Sequence, residues 1–316
     1  MHQQIVRIGT RGSALARWQA DFVAGLLRAG YPDLPVEILV FSTRGDQVLD
    51  TPLPLIGGKG LFTAELESAL RAAEVDLAVH SLKDLPTQDP PGLTVGACPL
   101  RASVRDALVS RAGLKLEDLP GGAVIGTSSR RRAAQLLAHR PQFAVLDIRG
   151  NVPTRLRKVK DPTGPYDATV LAEVGLERLQ RSGDITQVLP LDVMLPAPGQ
   201  GALGIQCRRS LDWLRLLKPI NHLPTQLAVT AERAFLTGLG GGCAVPIAGY
   251  GYLDGDILVL RGRVCSLDGT RQVEVALSRT LAAGDDEMIA SAHQLGLTLA
   301  QLALDRGAGD LLEALP

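Results

Sequence analysis

A strand, a Gly-Thr turn and a helix occur twice in the same order, and this repeat restricts the fold more than any other feature. QQIVRIGT reads as a short apolar strand. RGSALARWQADFVAGLLRAG carries Leu15, Trp18, Phe22 and Leu26 at helical spacing, with Ser13 as N-cap and Gly30 as stop. VEILVFST is a second strand and VDLAVHS a third. Between them LFTAELESALRAAE puts Phe62, Leu66, Ala69 and Ala73 on one helical face. Ile125-Gly126-Thr127-Ser128-Ser129 then repeats Ile8-Gly9-Thr10-Arg11-Gly12-Ser13, each opening a helix that contains a glutamine, Gln135 or Gln19. YDATVLAEVGLERL echoes VDLAVHSLKDLP. Alternating strands and helices imply a mainly parallel α/β sheet. The preserved order implies two related α/β domains facing one another, with a cleft at matching strand ends, where such folds bind ligands.

The last third changes style. AVTAERAFLTGL is a helix, followed by Gly240-Gly241-Gly242-Cys243. YGYLDGDILVLRGRV and VCSLDGTRQVEVALSR carry Asp-Gly turn signals, and Val273, Val275 and Leu277 alternate with polar neighbours as in a half-buried antiparallel strand. A final helix runs from about Asp285 to Arg306. The expected boundaries are residues 1–100 with 201–219 for the first α/β domain, 105–196 for the second, and 222–316 for a third, α+β domain.

Composition agrees with a globular chain of two or three domains: 316 residues, 46% apolar and 21% charged. The 34 glycines and 20 prolines stay well under the roughly 25–30% that marks low complexity. No apolar run approaches the ~18 residues needed to cross a bilayer, and MHQQIVRIGTRGS has no apolar core of a secretory signal. A cytoplasmic protein with no membrane partner is expected. The cysteines Cys98, Cys207, Cys243 and Cys265 are widely spaced, which suits reduced thiols better than disulfides or zinc; the histidines are equally scattered and no metal site is expected.

Zero net charge hides an asymmetry. Of 33 basic residues 27 are Arg; Arg130 to Lys160 holds nine bases against one acid, Asp147, whereas Leu281 to the end holds six acids and one Arg. Arg binds carboxylate or phosphate through a planar fork. A solvated face is the plain reading of such a run. Yet GTSSRRR places three arginines in a first helical turn, where cations oppose the dipole, and that favours a ligand with several negative groups. Arg149, Arg155 and Arg157 extend the patch, and Arg11 and Lys83 come from the other half.

Other chemistries fit less well. GGKG lacks the rest of a phosphate-binding loop, and neither Gly-Thr turn supplies G-x-G-x-x-G. Aromatics are only 3%, few for base stacking, so no nucleic-acid partner is expected. Asp84 fits two roles: a turn former before Pro86, or a carboxylate stabilising a cation at a strand end. Cys243 is equally a small buried hydrophobe or, after three glycines, an exposed nucleophilic thiol.

IGTRGSALARWQA, STRGD, GGKGLFTAELE, DLAVHSLKDLPT, RDALVS, IGTSSRRRAAQL, RGNVPTRL, YDATVLAEVGLERL, PAPGQGALGIQCR and GGCAVP together resemble the hydroxymethylbilane synthase (porphobilinogen deaminase) family over nearly the whole chain. The resemblance implies two periplasmic-binding-protein-like α/β domains plus a C-terminal α+β domain; since nothing in the sequence suggests an extended apolar interface, a monomer is expected. It implies a transferase that condenses four porphobilinogen molecules into linear hydroxymethylbilane, with loss of ammonia, in haem and other tetrapyrrole synthesis. A dipyrromethane cofactor would be joined to Cys243 by a thioether. By motif position Asp84 would be catalytic. Lys83, Ser81, Thr127, Ser129, Arg131, Arg132 and Arg155 would hold the cofactor; Arg11, Ser13, Gln19, Lys59, Arg149 and Arg178 would hold substrate, Lys59 from a flexible loop around residues 43–59. Two departures stand out: Gly240 where the family commonly has Glu, and a longer turn at KDPTGPYD. The competing readings are a two-lobed receptor for a small anion without chemistry, and a nucleic-acid binder using the Arg130–Lys160 patch.

Overall fold

The structure is a computed structural model that describes residues 5–43, 63–241, 245–281 and 284–313. The first sheet contains β1 (Val6–Arg11), β2 (Val36–Phe41), β3 (Leu77–Ser81), β4 (Leu93–Ala97) and β10 (Leu203–Arg208), in the order β2-β1-β3-β10-β4. The second contains β5 (Asp106–Ser110), β6 (Val124–Gly126), β7 (Ala144–Leu146), β8 (Ala168–Ala172) and β9 (Gln187–Val188), in the order β7-β6-β8-β5-β9. In each sheet the first three strands are parallel and the fourth runs antiparallel to both neighbours. The repeat in the sequence is therefore a repeat in topology: β1 matches β6, and β3 matches β8.

Helices follow the strands as the periodicity requires, with differences in which face is buried. α1 (Ala14–Gly30) is capped by Ser13, whose side chain accepts from the Ala16 N–H at 3.2 Å. Its buried face is Ala16, Gln19, Ala20, Val23, Ala24 and Leu27. Trp18 and Phe22, expected on the core face, instead stack on one another at the surface, 36% and 37% exposed. The small Ala stripe explains this: it lets the helix lie close on the sheet, which large rings would prevent. α2 (Ala64–Arg71) buries Leu66 and Ala69 as expected; Ala73 lies beyond its end with φ 56°, and Phe62 is outside the described residues. In the second lobe, α3 (Arg130–His139), α4 (Val152–Lys160) and α5 (Glu173–Arg178) cover the sheet. The longer turn around residues 161–164 lies at the surface.

The chain crosses between lobes twice, at residues 98–105 and 189–202. The crossings run side by side: the Ala102 N–H donates to Gly201 O at 3.3 Å. Gly201 has φ +86°, and a Cβ there would lie 2.6 Å from Ser103 O, so only glycine lets the crossings come this close. After α6 (Leu211–Leu217), a third unit stacks α7 (Leu223–Gly238) and α8 (Asp285–Asp305) on the antiparallel meander β11 (Ile247–Asp254), β12 (Ile257–Cys265) and β13 (Gln272–Thr280), with α9 (Ala308–Glu313) at its end. Phe235, Leu258, Leu260, Leu295 and Leu299 form its core. The fold is α/β with two related lobes and an α+β third unit, as expected.

Candidate active site

The cleft lies where β1, β3, β6 and β8 end. Arg11 closes β1, Ser13 caps α1, and Gln19 on α1 donates from Nε2 to Ser81 Oγ at 2.8 Å. Asp84 ends a 3₁₀ turn that follows β3 directly, and its carboxylate is exposed. Arg11, Ser13, Gln19, Thr63, Ser81 and Asp84 line one pocket. His80 shares its wall; burial pushes the imidazole down to about 4, so it is neutral in the physiological range.

The second lobe carries its own set of polar and cationic groups at the ends of its strands. Thr127 follows β6, and its hydroxyl accepts from the Ser129 N–H at 3.2 Å. Ser129 caps α3 by accepting from the Arg132 N–H at 3.4 Å. Arg155 on α4 donates from Nε to Gly150 O at 2.8 Å; burial, and then Arg132 and Arg149, push its guanidinium down to about 10, with Asp84 opposing. Lys83 is pushed down to about 8 by burial and by Arg132 and Arg131, against Asp84 and Asp106. Arg178 is placed differently: its Nη2 donates to Gly201 O at 3.2 Å and its guanidinium lies 5.2 Å over the Trp18 ring, so it ties α5 to the other lobe.

Arg131 and Arg132 share a buried counterion. Cations in a first helical turn have a structural reason here, because both pair with Asp106: Arg131 Nη2 to Oδ2 at 2.8 Å and Arg132 Nη2 to Oδ1 at 2.6 Å. A counterion buried beneath the helix offsets the unfavourable dipole. Asp106 and its neighbour Gln200 stand within RDALVS and PAPGQGALGIQCR, with no local pattern that marks either as a site residue. The available signal was charge balance: three consecutive arginines call for an acid, and Asp106 opens a strand of the same lobe.

Cys243 and Lys59, and the stretch 44–59 of the expected flexible loop, lie outside the described residues. The three described cysteines, Cys98, Cys207 and Cys265, are free and buried, and burial pushes their thiols up to about 12, 11 and 11. α7 ends in front of Cys243 with Gly240 at φ +64°, where the Gly240 N–H donates to Thr237 O at 2.9 Å and the Gly241 N–H to Leu236 O at 3.0 Å. That reciprocal pair is a glycine helix stop, which gives Gly240 a local structural role in this chain.

No group of three His, Cys, Asp or Glu that could hold a metal occurs among the described residues, and none of their helices is long and apolar enough to cross a membrane.

Comparison with known proteins agrees with this geometry. Residues 6–215 match the family model described as porphobilinogen deaminase, dipyromethane cofactor binding domain, and residues 226–305 match porphobilinogen deaminase, C-terminal domain. The porphobilinogen deaminase of Roseiflexus sp. (strain RS-1) is 47% identical over 311 residues, 98% of this chain and 99% of the relative. That of Roseiflexus castenholzii is 49% identical over 306 residues, 96% and 97% of the two chains. That of Geobacter metallireducens is 46% identical over 308 residues, 97% and 93%. With two matched segments covering most of its length and relatives near half identity end to end, the chain belongs to the porphobilinogen deaminase family.

Proposed function

We propose that the protein is a hydroxymethylbilane synthase, joining four porphobilinogen molecules head to tail with release of ammonia, on a dipyrromethane primer carried by Cys243. The observation that carries this reading is the position of Asp84. It lines the pocket of Arg11 and Ser13, and it is also the acid whose field reaches Lys83 and Arg155. One exposed carboxylate thus shares a pocket with Arg11 and favours the charge on Lys83 and Arg155.

The residues fit the cofactor. Lys83, Arg132, Arg149 and Arg155 form a cationic field in which Arg132 and Arg149 disfavour the charge on Arg155. A ligand bearing several carboxylates relieves that repulsion. When bound, the dipyrromethane supplies a nucleophilic pyrrole carbon and a covalent tether. Lys83, Arg132 and Arg155 would hold its acetate and propionate groups, with Arg131 behind them and the Thr127–Ser129 turn supplying hydroxyl and backbone donors. The buried thiols of Cys98, Cys207 and Cys265 are poor nucleophiles, which supports Cys243 as the anchor.

Arg11 and Ser13 would receive the carboxylates of incoming porphobilinogen, with Arg149 and Arg178 reaching from the second lobe and Lys59 from the loop. Gln19 fixes Ser81 through its 2.8 Å hydrogen bond and so shapes the floor. When ammonia leaves the substrate, positive charge develops on the pyrrole. Asp84 accepts the pyrrole N–H and stabilises that charge where it forms. The same oxygen then takes part in proton removal after carbon–carbon bond formation. A binding protein without chemistry has no use for an exposed acid among these cations.

Intact-mass measurement tests the assignment. Wild type should carry the mass of two pyrrole units, and Cys243→Ser should lack it; equal masses apart from the substitution would refute the anchor. Asp84→Asn should keep the added mass but lose turnover by about 10²-fold or more, and undiminished product formation would remove Asp84 from its role. Location in the cytoplasm and a monomeric state belong to the same reading, and size-exclusion chromatography with light scattering checks the latter.

A further inference from the structure

We propose that Asp106 and Gln200 are positioning residues, which together lock Arg131, Arg132 and Lys83 into one cationic shelf built on the two lobe crossings. The proposal rests on the carboxylate-binding role given above to that shelf.

Both residues are completely buried. Asp106 opens β5, where the first crossing enters the second lobe; Gln200 lies on the second crossing. Asp106 Oδ2 accepts from Arg131 Nη2 at 2.8 Å. Its Oδ1 accepts from Arg132 Nε at 3.2 Å and Nη2 at 2.6 Å, and from Gln200 Nε2 at 3.0 Å. Oδ1 takes three donors and Oδ2 one, and the whole side chain is sealed from solvent. Asp106 therefore does not reach substrate itself and acts through the arginines. Arg131 is fixed at its other end by donating from Nη1 to Leu195 O at 2.7 Å.

Gln200 closes the network. Its Nε2 also donates to Val104 O at 2.7 Å, and its Oε1 accepts from Lys83 Nζ at 3.3 Å. The amide donates to Asp106 and accepts from Lys83 at the same time, which a carboxylate, able only to accept, could not do. The link joins Lys83 of the first lobe to Asp106 of the second through a residue of neither sheet. Within the network three cations share one anion, while Asp84 faces Lys83 from outside it, and the positive charge that remains is what a carboxylated ligand meets.

Lys83 reports on the link because its ammonium bonds Gln200 Oε1 directly, and burial with Arg132 and Arg131 pushes it down to about 8 against Asp84 and Asp106. Competitive acylation of purified protein from neutral to alkaline pH, read at Lys83 by peptide mass spectrometry, gives its midpoint. Gln200→Met removes the acceptor for the ammonium and should lower the midpoint by about one pH unit. Gln200→Glu brings an anion beside Lys83 and should raise it. The alkaline limb of kcat/KM should follow in the same opposite directions, whereas a purely structural role would move only the melting temperature. Unchanged midpoints, or shifts of one sign in both variants, would overturn the proposal, and Gln200→Met keeps the test open if Gln200→Glu folds poorly. Intact mass on the same samples separates the two readings. A wild type without the added mass counts against the function, and the Lys83 midpoints still decide the positioning role.

Discussion

Burial pushes the Asp106 carboxyl up, but Arg131 and Arg132, with Lys83 behind them, outweigh it and hold the group well below the usual carboxylate range. The linkage sign follows. A depressed folded-state pKa stabilises the fold above the unfolded value, near 3.8, and that contribution is lost as pH falls from there toward the folded value. Asp106→Asn should cost about 3–5 kcal/mol in urea titrations at neutral pH, since it leaves two arginines buried without their anion. The loss of stability below about pH 4 should be shallower than in wild type by one linked proton. Trp18 gives a second test. The guanidinium of Arg178 lies over its ring at 5.2 Å, a contact worth about 1 kcal/mol. Trp18→Leu should therefore raise KM about fivefold with kcat little changed, and Trp18→Phe should retain most of the affinity. The arginines were legible because their density is local. Asp106 was not, because a counterion 25 residues before Arg131 leaves no local pattern. Trp18 misled because large apolar rings at helical spacing look like a core stripe, whereas alanines made the contact.

Among the elements, the two Gly-Thr turns are the part of the fold most openly written in the sequence. β1 and β6 hold equivalent places, and the hydroxyl caps at Ser13 and Ser129 accept from the third residue onward in both helices. The glutamines that follow have diverged: Gln19 fixes Ser81, whereas Gln135 Oε1 accepts from Leu195 N at 2.9 Å and from Arg263 Nη1 at 2.8 Å. β5 and β10 were less legible. Each follows a crossing and enters the middle of a sheet antiparallel to its neighbours, an arrangement set by long-range closure rather than by periodicity. The end of α7 carries its own prediction. Gly240 holds the left-handed position of the helix stop at φ +64°, so Gly240→Ala should lower stability by about 1 kcal/mol. Thermal melting checks this, and Gly240→Asn should cost less because Asn tolerates the same backbone region.

At the scale of the whole molecule, Glu232 joins what the two sheets do not. It is fully buried on α7 and accepts from Arg101 Nη1 at 2.7 Å and Nη2 at 3.0 Å. It also accepts from the Gly199 N–H at 2.6 Å and the Gly251 N–H at 2.7 Å. Arg101 sits on the first crossing and donates from Nε to Gln200 O at 2.8 Å on the second. One carboxylate thus fastens both crossings to the third unit, in front of the helix end that leads to Cys243. Removing one member of a buried pair leaves the other uncompensated, at about 3–5 kcal/mol, while replacing both with apolar groups recovers much of that loss. Glu232→Gln should therefore separate a single calorimetric transition into two, with the third unit melting first. The Arg101→Met, Glu232→Met double variant should be more stable than Glu232→Gln, and a cycle over the single variants should give a coupling above about 1 kcal/mol. If Glu232→Gln still melts in one transition with an unchanged midpoint, the third unit is held by its other contacts, among them Arg233 to Pro86 O and Arg263 to Asp192 O, and Glu232 is not what fastens it to the crossings.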